Sequence, residues 1–274
     1  MSIRNFVPLV WAKQLEELTD RALVFKEDCN TKYEGEIKDV GDSVKILTPG
    51  KPSIRTFHDG KLHQLDDPES VQGSSITMPI TEVSDFHFFV DDLDKRQAEG
   101  NIKEHYMAEA ATGLANEIDT YIASFAADKN TLKTAETQIT SDNVLNFINS
   151  AQTKLFQNDV TPNTELVLTA TPKFIEILRL AYEKMDTDNS EMMKNGRVGK
   201  YHNIILKMSN NVYQKNDVDH IMLRTKRALA FANQITKTEA YRPEKHFEDA
   251  VKGFTAYGAK WVRPKENVTL LAKY

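Results

Sequence analysis

The residues best suited to chemistry in this chain fall short of every catalytic pattern they approach. Gly196-Arg197-Val198-Gly199-Lys200 has the glycines and lysine of a loop that cradles phosphate on backbone N–H groups. Such a loop also needs glycine where Lys194 stands and a hydroxyl side chain where Tyr201 stands. Asp186, Asp188 and Ser190 have the alternating spacing of a calcium loop, but Glu191 replaces the turning glycine and Arg197 the bidentate glutamate. The seven histidines (58, 63, 87, 105, 202, 220 and 246) include no H-E-x-x-H pair and no pairing with cysteines, so zinc has no spacing support. They read as polar surface or interface residues. The single Cys29 ends an apolar stripe, where a buried thiol is the ordinary outcome; a nucleophile would need a histidine brought beside it by the fold. Neither a G-x-S-x-G elbow nor a G-x-G-x-x-G dinucleotide loop occurs.

The remaining polar clusters have plain structural readings. Asp66-Asp67-Pro68-Glu69 reads as a turn and Asp91-Asp92-Leu93-Asp94 as a helix start, where carboxylates meet the positive end of the helix dipole. Phe86-His87-Phe88-Phe89 has too few basic neighbours for a groove that stacks bases, and fits a sheet core. The Asn267-Val268-Thr269 sequon has no meaning without secretion. The expectation is a protein without catalytic residues, cofactor or metal: not an enzyme.

Composition narrows the class further. The chain has 274 residues, 40% of them hydrophobic and 27% charged, with 11 glycines and 9 prolines, which is the profile of a globular protein with ample length for a core. Lys plus Arg number 35 against 40 Asp plus Glu, for a net charge of −5, so no overall field draws in nucleic acid or an anionic membrane. Met1-Ser2-Ile3-Arg4-Asn5 lacks the charged-then-apolar layout of a signal peptide, and the apolar run Phe6 to Ala12 is far below the ~20 residues of a membrane span. Cytosolic synthesis and no membrane contact are expected.

The elements that would position any site follow from periodicity. Pro8 suits a first helical turn, and Trp11, Leu15, Leu18, Ala22 and Phe25 then recur at steps of four and three, an amphipathic helix of about five turns. Its stripe needs a partner surface, on its own domain or on a neighbouring subunit. Val44 and Ile46 alternate after the Gly41-Asp42 turn, and Ile76, Met78 and Ile80 alternate later. Between them, Thr48 to Ser75 has no core element and is rich in Pro, Gly and charge. So long a connection suits an extended hairpin arm that orders on another molecule, or a mobile loop.

Met107, Ala111, Leu114, Ile118, Tyr121 and Phe125 mark a long helix from about Gln97 to Ala127, on the order of 45 Å in length. Ser141-Asp142 is placed to cap a helix through about Phe156, Leu166-Val167-Leu168 is an apolar strand, and Thr171-Pro172 opens another helix. Asp186 to Lys200 reads as a loop. Strands at Ile204 to Met208 and His220 to Arg224, a short alanine-rich helix near Lys226 to Ala232, and strands near Thr236 to Tyr241 and Gly253 to Val262 complete an α+β pattern.

This order of elements resembles the major capsid protein of tailed bacteriophages, the Hong Kong ninety-seven type fold. Phe6-Val7-Pro8-Leu9-Val10-Trp11-Ala12, Tyr33-Glu34-Gly35-Glu36-Ile37 and Gly41-Asp42-Ser43-Val44-Lys45-Ile46 resemble the start of coat proteins of the short-tailed Salmonella phage group. Gly196-Arg197-Val198-Gly199-Lys200 leading to Met208-Ser209-Asn210-Asn211 has the same look, as does Gly253-Phe254-Thr255-Ala256-Tyr257-Gly258-Ala259-Lys260-Trp261-Val262-Arg263-Pro264.

The resemblance implies an N-terminal arm helix over 1–30, an extended β-hairpin loop over 31–90, a peripheral domain with spine helix over 91–136 and 231–274, and an axial domain over 137–230. Gly199 to Asp219 leaves no room for the inserted domain of some short-tailed phage relatives. The lack of a charged helical extension before the arm implies a separate scaffolding protein. It further implies self-assembly into hexamers and pentamers of an icosahedral shell around double-stranded DNA held without sequence-specific binding. A portal, with decoration proteins as a further option, would complete the partners. The location implied is the virion capsid, assembled in the bacterial host cytoplasm. Inter-subunit contacts would fall on Trp11, Leu15, Leu18, Lys51, Arg55, Lys61, Asp66, Asp67 and Glu69. Some relatives cross-link a loop lysine to a neighbour's asparagine; Lys51 or Lys61 with Asn267 is the pair to consider here, and the reading goes against such a cross-link. An encapsulin-like compartment shell and a cytosolic α+β enzyme are the alternatives.

Overall fold

The structure, a computed structural model, describes residues 17–19, 22–32, 43–48, 52–56, 58, 70–71, 73–90, 102–183, 198–242 and 249–274. Its body is a mixed eight-stranded sheet. The order is β4 (Leu132–Lys133), β13 (Asn267–Lys273), β10 (Val218–Thr225), β6 (Leu166–Ala170), β8 (Ile204–Met208) and β7 (Val198–Tyr201), with β5 (Thr137–Gln138) on β13 and β9 (Gln214–Lys215) on β10. Every residue of β6 is buried, because the strand is flanked on both sides and covered on both faces, which is why it reads as an unbroken apolar run.

Two helices pack on this sheet. Helix α2 (Val144–Gln157) buries Val144, Phe147, Ile148, Ala151 and Leu155, and α3 (Pro172–Glu183) begins with proline at its first position, where the missing N–H has no intrahelical partner. The residue before α2 is Asn143, not the expected Ser141-Asp142 pair. Its Oδ1 accepts from the Thr140 N–H at 2.9 Å and its Nδ2 donates to the Gln138 carbonyl at 2.8 Å, so it fastens the incoming loop rather than the helix.

The long helix is α1 (Ile102–Ser124), continued by a single 3₁₀ turn at Phe125–Ala127; Gln97 to Asn101 lie outside the described residues. Its buried stripe serves two cores. Ala115, Ile118, Ile122 and Ala123 join the main core beneath the eight-stranded sheet. Met107, Ala111 and Leu114 instead pack with Val251, Phe86 and Phe88 of a separate antiparallel sheet, ordered β11 (Leu229–Tyr241), β12 (Asp249–Trp261), β3 (Glu82–Val90). A third unit is the antiparallel pair β1 (Ser43–Thr48) and β2 (Ser74–Pro79), with Val44 opposite Met78 and Ile46 opposite Ile76.

Two sequence expectations are corrected. Ala228 to Ala232 are not a helix: Thr225–Ala228 close a turn, with the Ala228 N–H donating to the Thr225 carbonyl at 3.1 Å, and Leu229 onward is strand. Alanine's helix propensity yields here to burial, since Ala230, Ala232 and Ala256 form the small-residue floor on which the β1–β2 pair packs. Asn267–Lys273, unread as a strand, is hydrogen-bonded along both edges, antiparallel to β10 and parallel to β4 and β5.

Candidate assembly surfaces

The hairpin formed by β1 and β2 has two unlike faces. Val44, Ile46, Met78 and the following Ile80 are buried against Ala230, Ala232 and Ala256. The approach is close at Gly258, where a methyl group would stand 2.3 Å from the Pro79 carbonyl oxygen and 2.9 Å from Ile80 Cδ1. Only glycine lets the hairpin base and β12 meet this way. Beyond that base the apolar residues are uncovered: Leu47 is 77% exposed and Ile54 is 89% exposed, with Val71 also open. Leu47 stands near the end of β1, and Ile54 and Val71 lie in the segment between the two strands.

The outer face of the three-stranded sheet is the second open surface. His87, Lys252 and Glu239 align across its strands, as do Phe89, Ala250 and Tyr241. Tyr241 stacks on the His87 ring at 5.9 Å and its hydroxyl lies 2.9 Å from His87 Nε2, while Lys252 sits over the Tyr241 ring and pairs with Glu239 at 3.0 Å. Phe89 and Val83 are exposed here. The aromatic segment that reads as sheet core is therefore split: Phe86 and Phe88 are half-buried toward α1, and His87 and Phe89 point to the outside.

Of the sequence-derived contact residues, Trp11, Leu15, Lys51, Lys61, Asp66, Asp67 and Glu69 lie outside the described residues. Arg55 is exposed near the exposed Ile54. Leu18 is half-buried against the Met107, Ala111, Leu114 and Val251 cluster of its own chain. Asn267 cannot reach a neighbour's lysine: it is 0% exposed, and its Nδ2 donates to Thr269 Oγ1 at 3.2 Å. Cys29 is buried, and desolvation raises its thiol above the usual range against the opposing pull of Arg224. Among the described residues His, Cys, Asp and Glu gather nowhere in a group able to hold a metal ion. No helix of the described residues is long and apolar enough to cross a membrane.

Sequence reasoning missed a buried polar cluster that ties the N-terminal segment to the body. Asp119 of α1, 2% exposed, accepts from the Val24 N–H at 2.9 Å and the Phe25 N–H at 3.1 Å. Arg224 of β10, 1% exposed, donates to the Phe25 carbonyl at 3.1 Å, to the Asp28 carbonyl and toward Cys29 Sγ. Lys207 of β8 pairs with Glu27 at 2.8 Å and Asp28 at 2.9 Å. The Asn30 N–H then donates to the Leu229 carbonyl at 2.9 Å. Four elements remote in sequence converge here, so no local pattern announces the cluster.

A second buried carboxylate closes the turn after β12. Glu266 accepts from Thr225 Oγ1 at 2.6 Å, Arg227 Nε at 2.8 Å and Arg263 Nη1 at 3.0 Å. Burial pushes its carboxyl up, but these three donors outweigh burial and hold it below its ordinary value.

A scan of the sequence against protein-family models finds no match, and no curated protein matches it. Solved structures do. One described as Mycobacterium phage Che8 is 25% identical, with a TM-score of 0.73 over 90% of each chain. The capsid structure of the cyanophage P-SCSP1u is 17% identical, with a TM-score of 0.65 over 91% of this chain and 88% of its own. This chain has the fold of phage capsid proteins. The same fold extends to a virus-like particle from Pyrococcus furiosus, 12% identical with a TM-score of 0.61 over 93% of this chain and 95% of its own. The expected α+β class stands.

Proposed function

We propose that the chain is the structural major capsid protein of a tailed bacteriophage. The observation that carries this reading is the likeness to the Che8 structure over 90% of both chains, leaving no large part for a separate activity. Subunits would assemble through hexamers and pentamers into an icosahedral shell enclosing double-stranded DNA, in the Hong Kong ninety-seven manner and with the short-tailed Salmonella phage coat group as the nearest in look. A closed shell needs heterologous contacts that close by rotation, and its subunits need parts that adapt to unlike neighbours. The uncovered Leu47 and Ile54 at the end of a hairpin anchored through Gly258 support that role.

On this reading 1–30 is the N-terminal arm, 31–90 the extended loop, 91–136 with 231–274 the peripheral domain and 137–230 the axial domain, except that β13 joins the sheet of the 137–230 unit. Trp11, Leu15, Lys51, Arg55, Lys61, Asp66, Asp67 and Glu69 face neighbouring subunits, with opposite charges setting register more than affinity, while Leu18 packs on its own chain. A separate scaffolding protein and a portal are the other partners, the role is structural rather than enzymatic, and assembly takes place in the host cytoplasm.

The test is size-exclusion chromatography and negative-stain microscopy of the purified chain, alone and co-expressed with a scaffolding candidate. Closed shells, tubes or isolated hexamers and pentamers are expected. A stable monomer or small dimer under both conditions counts against the reading. A compartment shell of the same fold is the second reading, the Pyrococcus furiosus match being described as a virus-like particle rather than as a phage capsid. Nuclease-protected DNA inside particles supports the first reading, and a co-purifying cargo enzyme the second.

A further inference from the structure

The three-stranded sheet has two edges, and they are not alike. At β11 the register slips between Gln234 and Lys237, and the start of the strand is clasped by Asn30, whose N–H donates to the Leu229 carbonyl and whose carbonyl accepts from the Phe231 N–H. At the other edge, β3 runs for nine residues in unbroken register with β12, from Glu82 opposite Tyr257 to Val90 opposite Asp249. No strand lies beyond it among the described residues. Glu82–Val90 holds no proline, no bulge and no lysine, devices that stop an edge from pairing. A long, regular edge of this kind is a template for another strand.

We propose that β3 pairs antiparallel with β3 of a second copy, about a two-fold axis through Phe86, so that two three-stranded sheets become one of six strands. The residues of β3 itself choose this occupant and this register. Val83, Asp85, His87 and Phe89 are exposed on one face, and in an antiparallel pair directly opposed residues share a face. With the axis at Phe86, Asp85 stands opposite the partner's His87 and Val83 opposite the partner's Phe89, each pair formed twice. An axis at Asp85 sets two carboxylates against each other, and one at His87 sets Asp85 against the ring of Phe89.

The surroundings of the strand suit the same seam. Tyr241 holds His87 Nε2 at 2.9 Å, so Nδ1 is the nitrogen that takes the carboxylate. On the face toward α1, Phe86 meets its own copy and Phe88 meets the partner's Ser84; all three are only half-buried in the single chain. Tyr106 of α1, exposed and with its ring 5.7 Å from that of Phe88, borders the contact. The contact is isologous, the same patch serving both copies. It adds a named junction to the capsid reading without resting on it.

Cross-linking of the full chain reads the register. Chains carrying Asp85→Cys and chains carrying His87→Cys, mixed and mildly oxidised, are expected to give a disulfide-linked dimer, since directly opposed Cα atoms lie about 4.5 to 5.5 Å apart. The mixed pair keeps one Asp85–His87 contact intact. Either variant alone should cross-link about tenfold more slowly, because its two thiols then sit on the diagonal, about 7 to 8 Å apart. Cys29 is buried and does not compete, and both substituted positions are exposed, so folding is left as it was. Without oxidant, sedimentation equilibrium of H87D should show dimerisation weakened about tenfold, and Asp85→His together with His87→Asp should restore it. Absence of the mixed cross-link, equal cross-linking in the single variants, or a swap no better than H87D overturns the proposal. Shells that form without the cross-link overturn the pairing and leave the capsid reading standing; a cross-linked dimer that never forms shells supports the pairing and counts against that reading.

Discussion

The eight-stranded body and the β1–β2 hairpin solve opposite problems. In the body the central strands are covered by the chain itself: β6 is buried along its whole length, and Val268, Leu270 and Ala272 of β13 are all fully buried. In the hairpin the chain covers one face, through Ala230, Ala232 and Ala256, and leaves Leu47 in water, as it does Ile54 in the segment that follows β1. Stability is concentrated in the first region and unspent apolar surface in the second. A mutation should therefore report on folding in one region and on association in the other.

The largest expected effect lies in the body. Arg224→Met removes a charged donor from the Phe25 and Asp28 carbonyls and leaves the buried carboxylates less compensated, at a cost of about 3 to 5 kcal/mol. Denaturant unfolding should show a lower midpoint at unchanged slope. A loss below about 1 kcal/mol would mean that the cluster is better hydrated than its burial implies.

Next comes the joint between the two regions. Gly258→Ala places a methyl group against the Pro79 carbonyl and should cost about 1 to 3 kcal/mol, lifting the hairpin base from β12. Exchange should quicken at Val44, Ile46 and Met78 while β10 and β13 stay protected. Equal loosening of both regions would show that they are one cooperative unit.

The two buried carboxylates sharpen the comparison within the body, because their signs differ. Glu266 is held low, so its contribution is complete above the ordinary carboxylate value of 4.5 and is lost as pH falls through its folded value. Asp119 is raised to about 6, so its contribution is largest in acid and is lost as pH rises through that value. E266Q should flatten the acid limb of the stability profile and leave the limb near pH 6 in place.

The smallest effect on folding is expected where the effect on association is greatest. Leu47→Ser with Ile54→Ser should alter subunit stability by no more than about 0.5 kcal/mol, since neither side chain is packed. The yield of assembled particles should nevertheless fall. Unchanged yield would remove these residues from the interface.

Much of the body can be read directly from the chain. The apolar run Leu166-Val167-Leu168, the proline opening α3 and the stripe along α1 each carry a local physical cause. The failures share one origin, in that tertiary burial overrode a local preference. Ala228 to Ala232 look helical because alanine favours helices, but the hairpin requires a floor of small residues there. In Asn267–Lys273, Asn267 and Thr269 interrupt the apolar pattern and hide a central strand, because both polar side chains are buried. The cluster of Asp119, Arg224, Lys207 and Asp28 gave no signal, since charged residues spread along the chain read singly as solvated surface. Most of the contact residues expected from the resemblance lie outside the described residues, so the hairpin's own exposed Leu47 and Ile54 are the better guides.

The place of β13 in the body has a consequence for synthesis. It is the last strand among the described residues, yet it lies between β10 and the β4 and β5 strands. While a ribosome is still making residues before 267, the sheet stands open at that gap, with Ile221 and Leu223 of β10 lacking their neighbour. Nascent chains therefore complete this sheet only after residue 273 has emerged. Incomplete products would be marked for proteolysis by an exposed core before they could join anything.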